Sequence, residues 1–405
     1  MLSAILNTFK YTESVSEHRR DCRSTGSATI DVQVSLPVSQ RFSCTLLSGQ
    51  VGVLLAPSGA GKTSLFNALA GLSPATGSIQ VGSKGDEQID LPAYQRRIAY
   101  VTQSPTLFGH LSIQALLNLV SAEQKNPFDV SWAVELLNLS GVLHLRAQQL
   151  SGGQQQRVAL LLAMIKGAPL LLLDEVLSGQ DHTMKHACIA LIKEFLKQTN
   201  AAALMVCHQM EDALALADKA LVLQDDGSCK HWQAMPVGAG LHLYQHQLLA
   251  SAQGSSNGRE NHASEFLSVV QATTLTHRAS LGLTEYRLNG QACFSVHTPH
   301  TKPGQVVSLV LKANRVGLSR TIMPDSSFVN QWLATITSTR EIVWQGEQGM
   351  LIDVKLVSRD DSDVAQCNDL SVWITRLSFN QLKPAVNEPW YLISKADALS
   401  FNSLH

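Results

Sequence analysis

Residues 150–175 read LSGGQQQRVALLLAMIKGAPLLLLDE, and the fold class follows from this stretch. A Ser-Gly-Gly turn at 151–153 precedes a helix-compatible run over 154–166, which Gly167 and Pro169 end. The first backbone N–H groups of such a helix have no partner within the helix, and its dipole favours negative charge. Because the two glycines let a phosphate approach the main chain closely, the turn predicts an anion-binding site.

The second part of the stretch is an apolar run over 170–173 that ends in Asp174 and Glu175. Such a run is typical of a strand buried on both faces of a parallel sheet, with polar residues at the carboxyl edge where ligands bind. The alternative is a leucine-rich buried helix followed by a solvated pair of acids. Gly167 and Pro169 stand where a change from helix to strand requires them, so we favour an α/β fold.

A second glycine-rich segment, APSGAGKT at 56–63, lies between a predicted strand (50–56) and a predicted helix (64–72). It matches the phosphate-binding loop with one departure, since Ala56 stands where the pattern has glycine. The lysine of this pattern contacts the β- and γ-phosphates, and its Thr hydroxyl ligates Mg²⁺. The predicted nucleotide contacts are consecutive: Pro57, Ser58, Gly59, Ala60, Gly61, Lys62, Thr63 and Ser64.

Five motifs follow one another along the chain. After the phosphate loop come a glutamine beyond a predicted strand (98–101), the Ser-Gly-Gly turn, the strand that ends in two acids, and a histidine beyond another predicted strand (202–207). In this order and spacing the chain resembles the ABC-type ATPase family, a P-loop α/β fold. The residues that carry the resemblance are Lys62, Thr63, Gln103, Leu150, Ser151, Gly152, Gly153, Gln154, Asp174, Glu175, Ser178, Asp181 and His208.

The resemblance implies an enzyme that hydrolyses ATP with Mg²⁺, and it assigns roles to the polar residues at the strand ends. Glu175 would act as general base on the attacking water, and His208 would contact the γ-phosphate. Thr63 and Gln103 would serve Mg²⁺ and its water, with Asp174 on the metal side. Most of the catalysis would then be positioning and charge neutralisation.

The resemblance also implies that two copies act together. Ser151 and Gly153 would reach the nucleotide of a second copy, so the expected active unit is a homodimer with two ATP molecules between the copies. Gly152, Gln154 and Asp181 complete the expected nucleotide-binding set.

Four positions depart from the family pattern. Besides Ala56, Val176 replaces the usual proline after the catalytic glutamate, residues 178–181 read SGQD rather than close to SALD, and Gln209 replaces a common acid. These departures bear on nucleotide affinity and turnover rate rather than on nucleotide identity. The sequence does not place the aromatic residue that stacks on adenine, and the candidates are Phe9, Tyr11 and Phe42.

Composition limits the other classes of function. The 405 residues are 45% hydrophobic and 16% charged, with formal net charge −1 and pI near 6.9, which indicates a globular protein that does not bind nucleic acid. Seven cysteines are scattered without a C-x-x-C pair, so we expect free thiols in a reducing compartment. The N-terminus is a poor signal peptide, and no apolar stretch reaches the ~18 residues that span a bilayer. A membrane role is therefore expected to come through a partner.

Beyond the polar segment QGSSNGREN at 253–261, the periodicity of the sequence changes to two. Apolar and polar residues alternate over 350–356, with similar patterns over 332–336 and 370–374, which predicts a small all-β barrel or sandwich. The expected domains are an N-terminal extension (1–27), an ABC-type ATP-binding domain (28–252), a linker (253–261) and a β-rich regulatory domain (262–405).

The β-rich half resembles the C-terminal regulatory domain of molybdate-import ATPases, which is OB-like or molbindin-like. The resemblance rests on segments 265–283, 303–311 and 327–333. Val329 stands where the molbindin motif has arginine, and losing a fixed cation removes a natural partner for an oxyanion. Binding would then depend on the turn at 326–327, aided by Lys312 or Arg320, and we expect it to be weak.

The function expected from these features is the ATPase subunit of a binding-protein-dependent importer, with molybdate as cargo. It would work at the cytoplasmic face of the membrane, beneath a permease and served indirectly by a solute-binding protein. Two alternatives stay open: an importer of another solute such as sulfate, ferric iron or a polyamine, and an oxyanion-binding regulatory protein whose ATPase has decayed. Separately, His242 and His246 lie one helical turn apart and could share a metal, for which the sequence offers no third ligand.

Overall fold

A computed structural model gives the fold of most of the chain. The predicted N-terminal extension lies outside the described residues, and so does the predicted linker after Gln253, which ends a helix. The structure describes residues 29–36, 40–81, 86–122, 128–227, 229–253, 266–278, 280, 282–288, 291–295, 302–344, 347–357 and 369–402.

The first half is built on a ten-stranded mixed sheet of order β5-β4-β1-β2-β10-β9-β3-β8-β7-β6. Its centre, β3, β8, β7 and β6, is parallel, whereas β1 pairs antiparallel with β2 in the hairpin that the alternating pattern predicts. The strands are β1 (Thr29–Leu36), β2 (Gln40–Leu47), β3 (Val51–Leu55), β4 (Thr76–Val81), β5 (Asp86–Glu87), β6 (Ile98–Val101), β7 (Leu170–Asp174), β8 (Ala202–Val206), β9 (Lys219–Asp225) and β10 (Lys230–Pro236).

Helices cover both faces of this sheet, which is why its central strands are apolar throughout. Along β7 the side chains alternate between two cores: Leu171 and Leu173 belong to one, Leu170 and Leu172 to the other. The helices are α1 (Lys62–Ala70), α2 (Ile113–Ser121), α3 (Val130–Leu136), α4 (Gly152–Lys166), α5 (His182–Gln198), α6 (Met210–Leu216) and α7 (Val237–Gln253). None of the described helices has the length and apolar character that crossing a bilayer requires.

The second half consists of two five-stranded sheets, of order β13-β12-β11-β14-β20 and β15-β19-β16-β17-β18, with antiparallel pairing throughout. Both sheets contribute to one core, in which Trp332 and Trp390 are fully buried. The all-β prediction agrees with this arrangement apart from one short helix, while the OB-like identity stays a prediction. The elements are β11 (Leu267–Arg278), β12 (Leu283–Leu288), β13 (Gln291–Ser295), β14 (Val306–Lys312), β15 (Gly317–Ser319), β16 (Asn330–Trp344), β17 (Glu347–Leu356), β18 (Asp369–Thr375), α8 (Arg376–Leu382), β19 (Pro389–Ser394) and β20 (Leu399–Asn402).

The two halves meet along α7. Leu267 of β11 and Val310 of β14 are buried in the core of the first half. In the amide orientation that satisfies both partners, the buried Gln245 of α7 donates to the Leu267 carbonyl at 3.2 Å and accepts from its N–H at 2.9 Å. Lys312 lies 3.7 Å from Glu211 of α6, so the junction combines apolar packing with directed polar contacts.

Candidate functional site

Four parallel strands end at one edge of the large sheet, and each is followed by residues predicted to bind nucleotide. The phosphate loop follows β3, Gln103 follows β6, Asp174 ends β7 and Glu175 follows it, and His208 follows β8. Because β3, β8, β7 and β6 are neighbours in the sheet, these residues converge at its carboxyl edge.

The phosphate loop has the geometry that lets a backbone wrap an anion. Gly59 and Gly61 adopt φ of 78° and 90°, a left-handed conformation that disfavours a side chain. Lys62 opens α1, and its Nζ donates to the carbonyls of Ala56 at 2.7 Å and Pro57 at 3.0 Å. Burial lowers the pKa of the Lys62 amine, and the nearby carboxylates oppose that effect. A polyanion at this loop would therefore stabilise the protonated form of Lys62, which burial disfavours.

The departure at Ala56 leaves this geometry intact. Ala56 is not among the described non-glycine residues with positive φ, so the position does not need a glycine for its backbone conformation. Its side chain is buried in the apolar core under the sheet. The departure at Ala56 is therefore no structural reason to regard the ATPase as decayed.

Oxygen ligands suited to Mg²⁺ lie where β7 ends. The Thr63 hydroxyl donates to Asp174 Oδ2 at 3.1 Å, and the Tyr100 hydroxyl donates to the same oxygen at 3.3 Å. Burial raises the pKa of the Asp174 carboxyl, with the Thr63 hydrogen bond acting in the opposite direction. A hydroxyl beside a carboxylate is the donor set that Mg²⁺ takes in nucleotide sites, so these residues fit the ion. Tyr100 was missed by the sequence reasoning, because its contact depends on the adjacency of β6 and β7.

The Glu175 carboxylate is held between two of the residues predicted to act with it. Gln103 Nε2 donates to Oε2 at 2.7 Å, and His208 Nε2 lies 2.6 Å from Oε1. The Glu175 backbone is left-handed, with φ of 53°, a conformation that costs a non-glycine residue about 1–2 kcal/mol. Its N–H donates to the Val206 carbonyl at 3.0 Å, and Ser178 Oγ donates to its carbonyl at 2.6 Å, so the surrounding structure maintains this conformation.

The Ser-Gly-Gly turn lies at the N-terminus of α4, as predicted, although the helix begins at Gly152 rather than at residue 154. Ser151 and Gln154 form a capping box: the Ser151 hydroxyl accepts from the Gln154 backbone N–H at 3.3 Å, and the Gln154 side-chain Oε1 accepts from the Ser151 backbone N–H at 2.9 Å. A cleft of about 320 Å³ adjoins this turn. It is lined by Gln103, Ser104, Pro105, Gly152, Gly153, Gln155, Gln156, Ser178 and Gly179.

The unusual Gln180 has a structural role that the sequence did not reveal. Its amide donates to the Gly153 carbonyl at 3.1 Å and accepts from Arg157 at 2.7 Å, so it ties the loop after β7 to the Ser-Gly-Gly turn. The next residue, Asp181, caps α5 by accepting from the Met184 N–H at 2.9 Å. A leucine at position 180 would make neither amide hydrogen bond.

The other departures and candidates have different outcomes. Val176 is buried, and Gln209 accepts a hydrogen bond from Lys185. Phe42 is wrong as an adenine-stacking candidate, because it is 1% exposed and packs edge-on against Trp232 in the core. Phe9 and Tyr11 lie outside the described residues.

The cations proposed to help an oxyanion bind in the β-rich half have other partners. The Arg320 guanidinium stacks 4.4 Å from the Trp390 ring and donates to the Leu382 carbonyl at 2.9 Å. Lys312 faces Glu211 across the junction, as described above. Ser326 Oγ donates to the Met323 carbonyl at 2.9 Å. This turn therefore lacks the fixed cation that the family motif supplies at position 329, where the exposed Val329 stands.

Comparison with known proteins places this edge of the sheet in context. The family described as ABC transporter matches residues 39–178, which include the phosphate loop, Gln103, the Ser-Gly-Gly turn and both acids of β7. A protein of Salmonella typhimurium, provisionally named the 2-aminoethylphosphonate import ATP-binding protein PhnT, is 31% identical over 76% of this chain and 79% of its own length.

Two further relatives differ in the cargo that their names give. The molybdenum import ATP-binding protein ModC of Vibrio parahaemolyticus is 27% identical over 82% of this chain and 84% of its own length. The thiamine import ATP-binding protein ThiQ of Aliivibrio fischeri is 35% identical, over 44% of this chain and 77% of its own length.

Proposed function

This chain belongs to the ABC transporter family of import ATP-binding subunits and is an ATPase, and we propose that it hydrolyses ATP at the carboxyl edge of its parallel strands to drive uptake of a small oxyanion. The observation that carries the catalytic part of this proposal is the Glu175 carboxylate, held between Gln103 and His208 at hydrogen-bond distance.

Each group at this edge fits one part of the reaction. The loop amides and Lys62 hold the β- and γ-phosphates, while Thr63 and Asp174 hold Mg²⁺, which when bound neutralises phosphate charge. Glu175 takes a proton from the attacking water while the water oxygen bonds to the γ-phosphorus. The bond between the γ-phosphorus and the bridging oxygen breaks, which releases ADP and phosphate. His208 and Gln103 position the carboxylate and the water.

We propose that two copies form the active unit. Within one copy, the contacts of Ser151 are with its own helix, and Gly153 is tied to Gln180. The α4 N-terminus borders an open cleft, so a second copy can present its own nucleotide to these backbone N–H groups. Gly152, Gln154 and Asp181 belong to the same surface in this proposal.

The proposed place of work is the cytoplasmic face of a cell membrane, beneath permease subunits that receive solute from a binding protein. The import subunits named among the relatives support this assignment.

For the cargo we propose molybdate. The resemblance of the β-rich half to molybdate-import ATPases supports this choice, as does the molybdenum import relative that spans both halves of this chain. A second candidate is 2-aminoethylphosphonate, because the relative with that name is 31% identical over a similar span. Molybdate is a small tetrahedral oxyanion and 2-aminoethylphosphonate has a tetrahedral phosphonate group, whereas ferric iron and thiamine, named in other import relatives, are cations.

Substitution Glu175→Gln tests the catalytic proposal. It keeps the shape of the side chain and removes the base, so we expect hydrolysis to fall by about 10²–10⁴-fold while ATP affinity stays close to that of the unaltered protein. Because ATP is then bound without being consumed, the variant should run as a dimer in size-exclusion chromatography with ATP and Mg²⁺. The matched control is Glu135→Gln, an exposed glutamate of α3.

Two results would contradict the catalytic proposal. Turnover by the Glu175→Gln variant within tenfold of the unaltered rate would remove Glu175 from the role of base. Absence of steady-state turnover by the unaltered chain, even with its permease, would favour the decayed ATPase.

Uptake measurements distinguish the two cargoes. Cells that carry the chain with its permease and binding protein are supplied with molybdate, 2-aminoethylphosphonate or sulfate, and the Glu175→Gln variant serves as the inactive control. We expect ATP-dependent uptake of molybdate. Uptake of 2-aminoethylphosphonate instead would transfer the assignment to the second candidate, and uptake of neither would refute both.

A further inference from the structure

The histidine pair of α7 has geometry that the sequence only suggested. The Nε2 atoms of His242 and His246 lie 3.1 Å apart, on the side of α7 that faces the β-rich half. Two imidazole nitrogens this close bind one shared proton or one shared metal ion.

The structure supplies the third ligand that the sequence did not. Asp353 of β17, in the second half of the chain, places its Oδ1 3.6 Å from His246 Nε2. Within the described part of the chain, His242, His246 and Asp353 form a group whose ligand atoms all lie within 4.8 Å of one another. Residue 353 is more than a hundred positions from either histidine in the sequence, so no local spacing could have indicated it.

Hydrogen bonds fix the Asp353 carboxylate in place. Its Oδ2 accepts from Ser338 Oγ at 2.6 Å and from Arg340 at 3.2 Å, while Oδ1 accepts from Ser371 Oγ at 2.8 Å and faces His246. Donors of this kind around a ligating carboxylate orient it toward a metal. The Arg340 cation shares the carboxylate charge, so affinity at this site would be lower than at one with a free carboxylate.

The separations suit a tetrahedral ion. Ligand atoms bound to zinc at about 2.1 Å with tetrahedral angles lie roughly 3.4 Å apart, and the measured 3.1 Å and 3.6 Å fall on either side of that value.

We propose that His242, His246 and Asp353 bind one divalent transition-metal ion of the zinc class at the junction of the two halves, with water as a fourth ligand. Two ligands come from α7 and one from β17, so the ion would link the ATP-binding half to the β-rich half. By mass action, the ion would stabilise this junction by an amount that grows with the logarithm of the free metal concentration above the Kd.

The chain contains an internal comparison for this proposal. His182 and His186 of α5 have the same spacing, with Nε2 atoms 3.3 Å apart, and both are exposed. Among the described residues they belong to no group of three ligands. A pair of this kind alone should bind a divalent ion more weakly than the three-ligand site.

The experiment uses the full-length chain, stripped of metal with a chelator and free of nucleotide. Co²⁺ is titrated and followed by its ligand-field absorption. In a separate titration, Zn²⁺ competes with a chromogenic chelator. Both titrations contain excess Mg²⁺, which occupies oxygen-ligand sites. We expect one ion per chain, bound at least about tenfold more weakly after His242→Gln or His246→Gln, since even groups behind the ligands change affinity tenfold. The paired variant His182→Gln with His186→Gln should retain the site. Zn²⁺ should raise the midpoint of thermal unfolding of the unaltered chain and of this control only.

Asp353→Asn disturbs three hydrogen bonds and can unfold the junction, so its circular dichroism is measured first. His242→Gln leaves those hydrogen bonds in place and decides the proposal if Asp353→Asn does not fold. Unchanged metal affinity and stoichiometry after His242→Gln would overturn the proposal. An equal loss of metal affinity in the paired variant of His182 and His186 would also overturn it. An altered ATPase rate with unchanged metal binding would concern the proposed function and would not contradict the metal site.

Discussion

Each half of the chain buries apolar cores, but the two halves arrange their polar groups in opposite ways. In the first half, Gln103, Asp174, Glu175 and His208 all follow the ends of parallel strands, and they meet at one edge. In the second half the strands are antiparallel, so successive strands end at opposite edges. Its notable carboxylate, Asp353, lies within a strand, buried between neighbours.

This difference explains why the site residues of the first half can be predicted from the sequence, whereas those of the second half cannot. In a parallel sheet, an apolar run followed by a polar residue specifies both the strand and the edge at which that residue lies. In an antiparallel sheet the same pattern gives only the face, because the partner strand determines which groups meet. If the two halves differ in this way, substitutions at the carboxyl edge should change ATP affinity, whereas core substitutions in the second half should change stability.

The largest effect on ATP affinity should come from the lysine at the carboxyl edge. Lys62→Met removes a cation that we place on the phosphates, and charge-assisted hydrogen bonds contribute about 1.5–3 kcal/mol each, so ATP affinity should fall at least about tenfold per bond lost. Isothermal titration with ATP and Mg²⁺ measures this. Folding should be retained, because burial already lowers the pKa of this amine and methionine fills a similar volume.

Lys166→Met is the matched control for this prediction. Lys166 is exposed, and its Nζ donates to the Ile98 carbonyl at 3.2 Å, at the start of β6 and therefore at the opposite edge of the sheet. We expect its ATP affinity to stay within twofold of the unaltered value. Equal losses at both edges would show that the lysines act through stability rather than through nucleotide contact.

A core substitution in the second half should lower the free energy of unfolding and leave ATP affinity unchanged. Trp332 is fully buried, and its Nε1 donates to the Ala292 carbonyl at 3.1 Å. Trp332→Ala should lower the free energy of unfolding by about 3–5 kcal/mol, the usual cost of deleting a buried aromatic side chain. Denaturant titration measures this cost, while ATP affinity of the folded fraction should be unchanged.

The control is Trp132→Ala in the first half, where the side chain is 37% exposed. Because Trp132 buries less apolar area than Trp332, its truncation should lower the free energy of unfolding by less, and it should likewise leave ATP affinity unchanged. A loss of ATP affinity in Trp332→Ala comparable with that in Lys62→Met would contradict the division between the halves.

The sequence predicted much of the first half, for physical reasons visible in particular residues. β7 was predictable because Leu170 to Leu173 are apolar toward both faces, and α4 because Gly167 and Pro169 end a helix-compatible run, although the helix begins at Gly152 rather than at residue 154. The placement of Glu175 near Gln103 and His208 followed from the order of the motifs, although their catalytic roles stay proposals.

Contacts between elements distant in sequence could not be predicted in the same way. Tyr100 reaches Asp174 only because β6 and β7 are neighbours, and Gln180 looked like a departure until its bonds to Gly153 and Arg157 were seen. Phe42 was named as an adenine partner because aromaticity is visible in a sequence, whereas its burial against Trp232 is not.

The smallest effect should arise where the halves meet. Tyr244 of α7 donates its hydroxyl to the Ala56 carbonyl at 3.2 Å, which connects the junction helix to the first residue of the phosphate loop. Burial raises the pKa of Tyr244 to about 12, so the hydroxyl remains a donor at neutral pH. Tyr244→Phe removes this bond, but Lys62 still donates to the same carbonyl at 2.7 Å, so no buried acceptor is left without a partner.

We therefore expect Tyr244→Phe to cost about 0.5–1 kcal/mol of stability, the low end for a lost hydrogen bond, and to change ATP affinity by less than threefold. Tyr94→Phe, at a side chain that is 81% exposed, is the control and should change neither quantity. Denaturant titration and isothermal titration with ATP measure the two effects. A tenfold or larger loss of ATP affinity in Tyr244→Phe alone would mean that α7 sets the conformation of the phosphate loop. Because the β-rich half packs on the same helix, it could then influence nucleotide binding, and the two halves would not be independent.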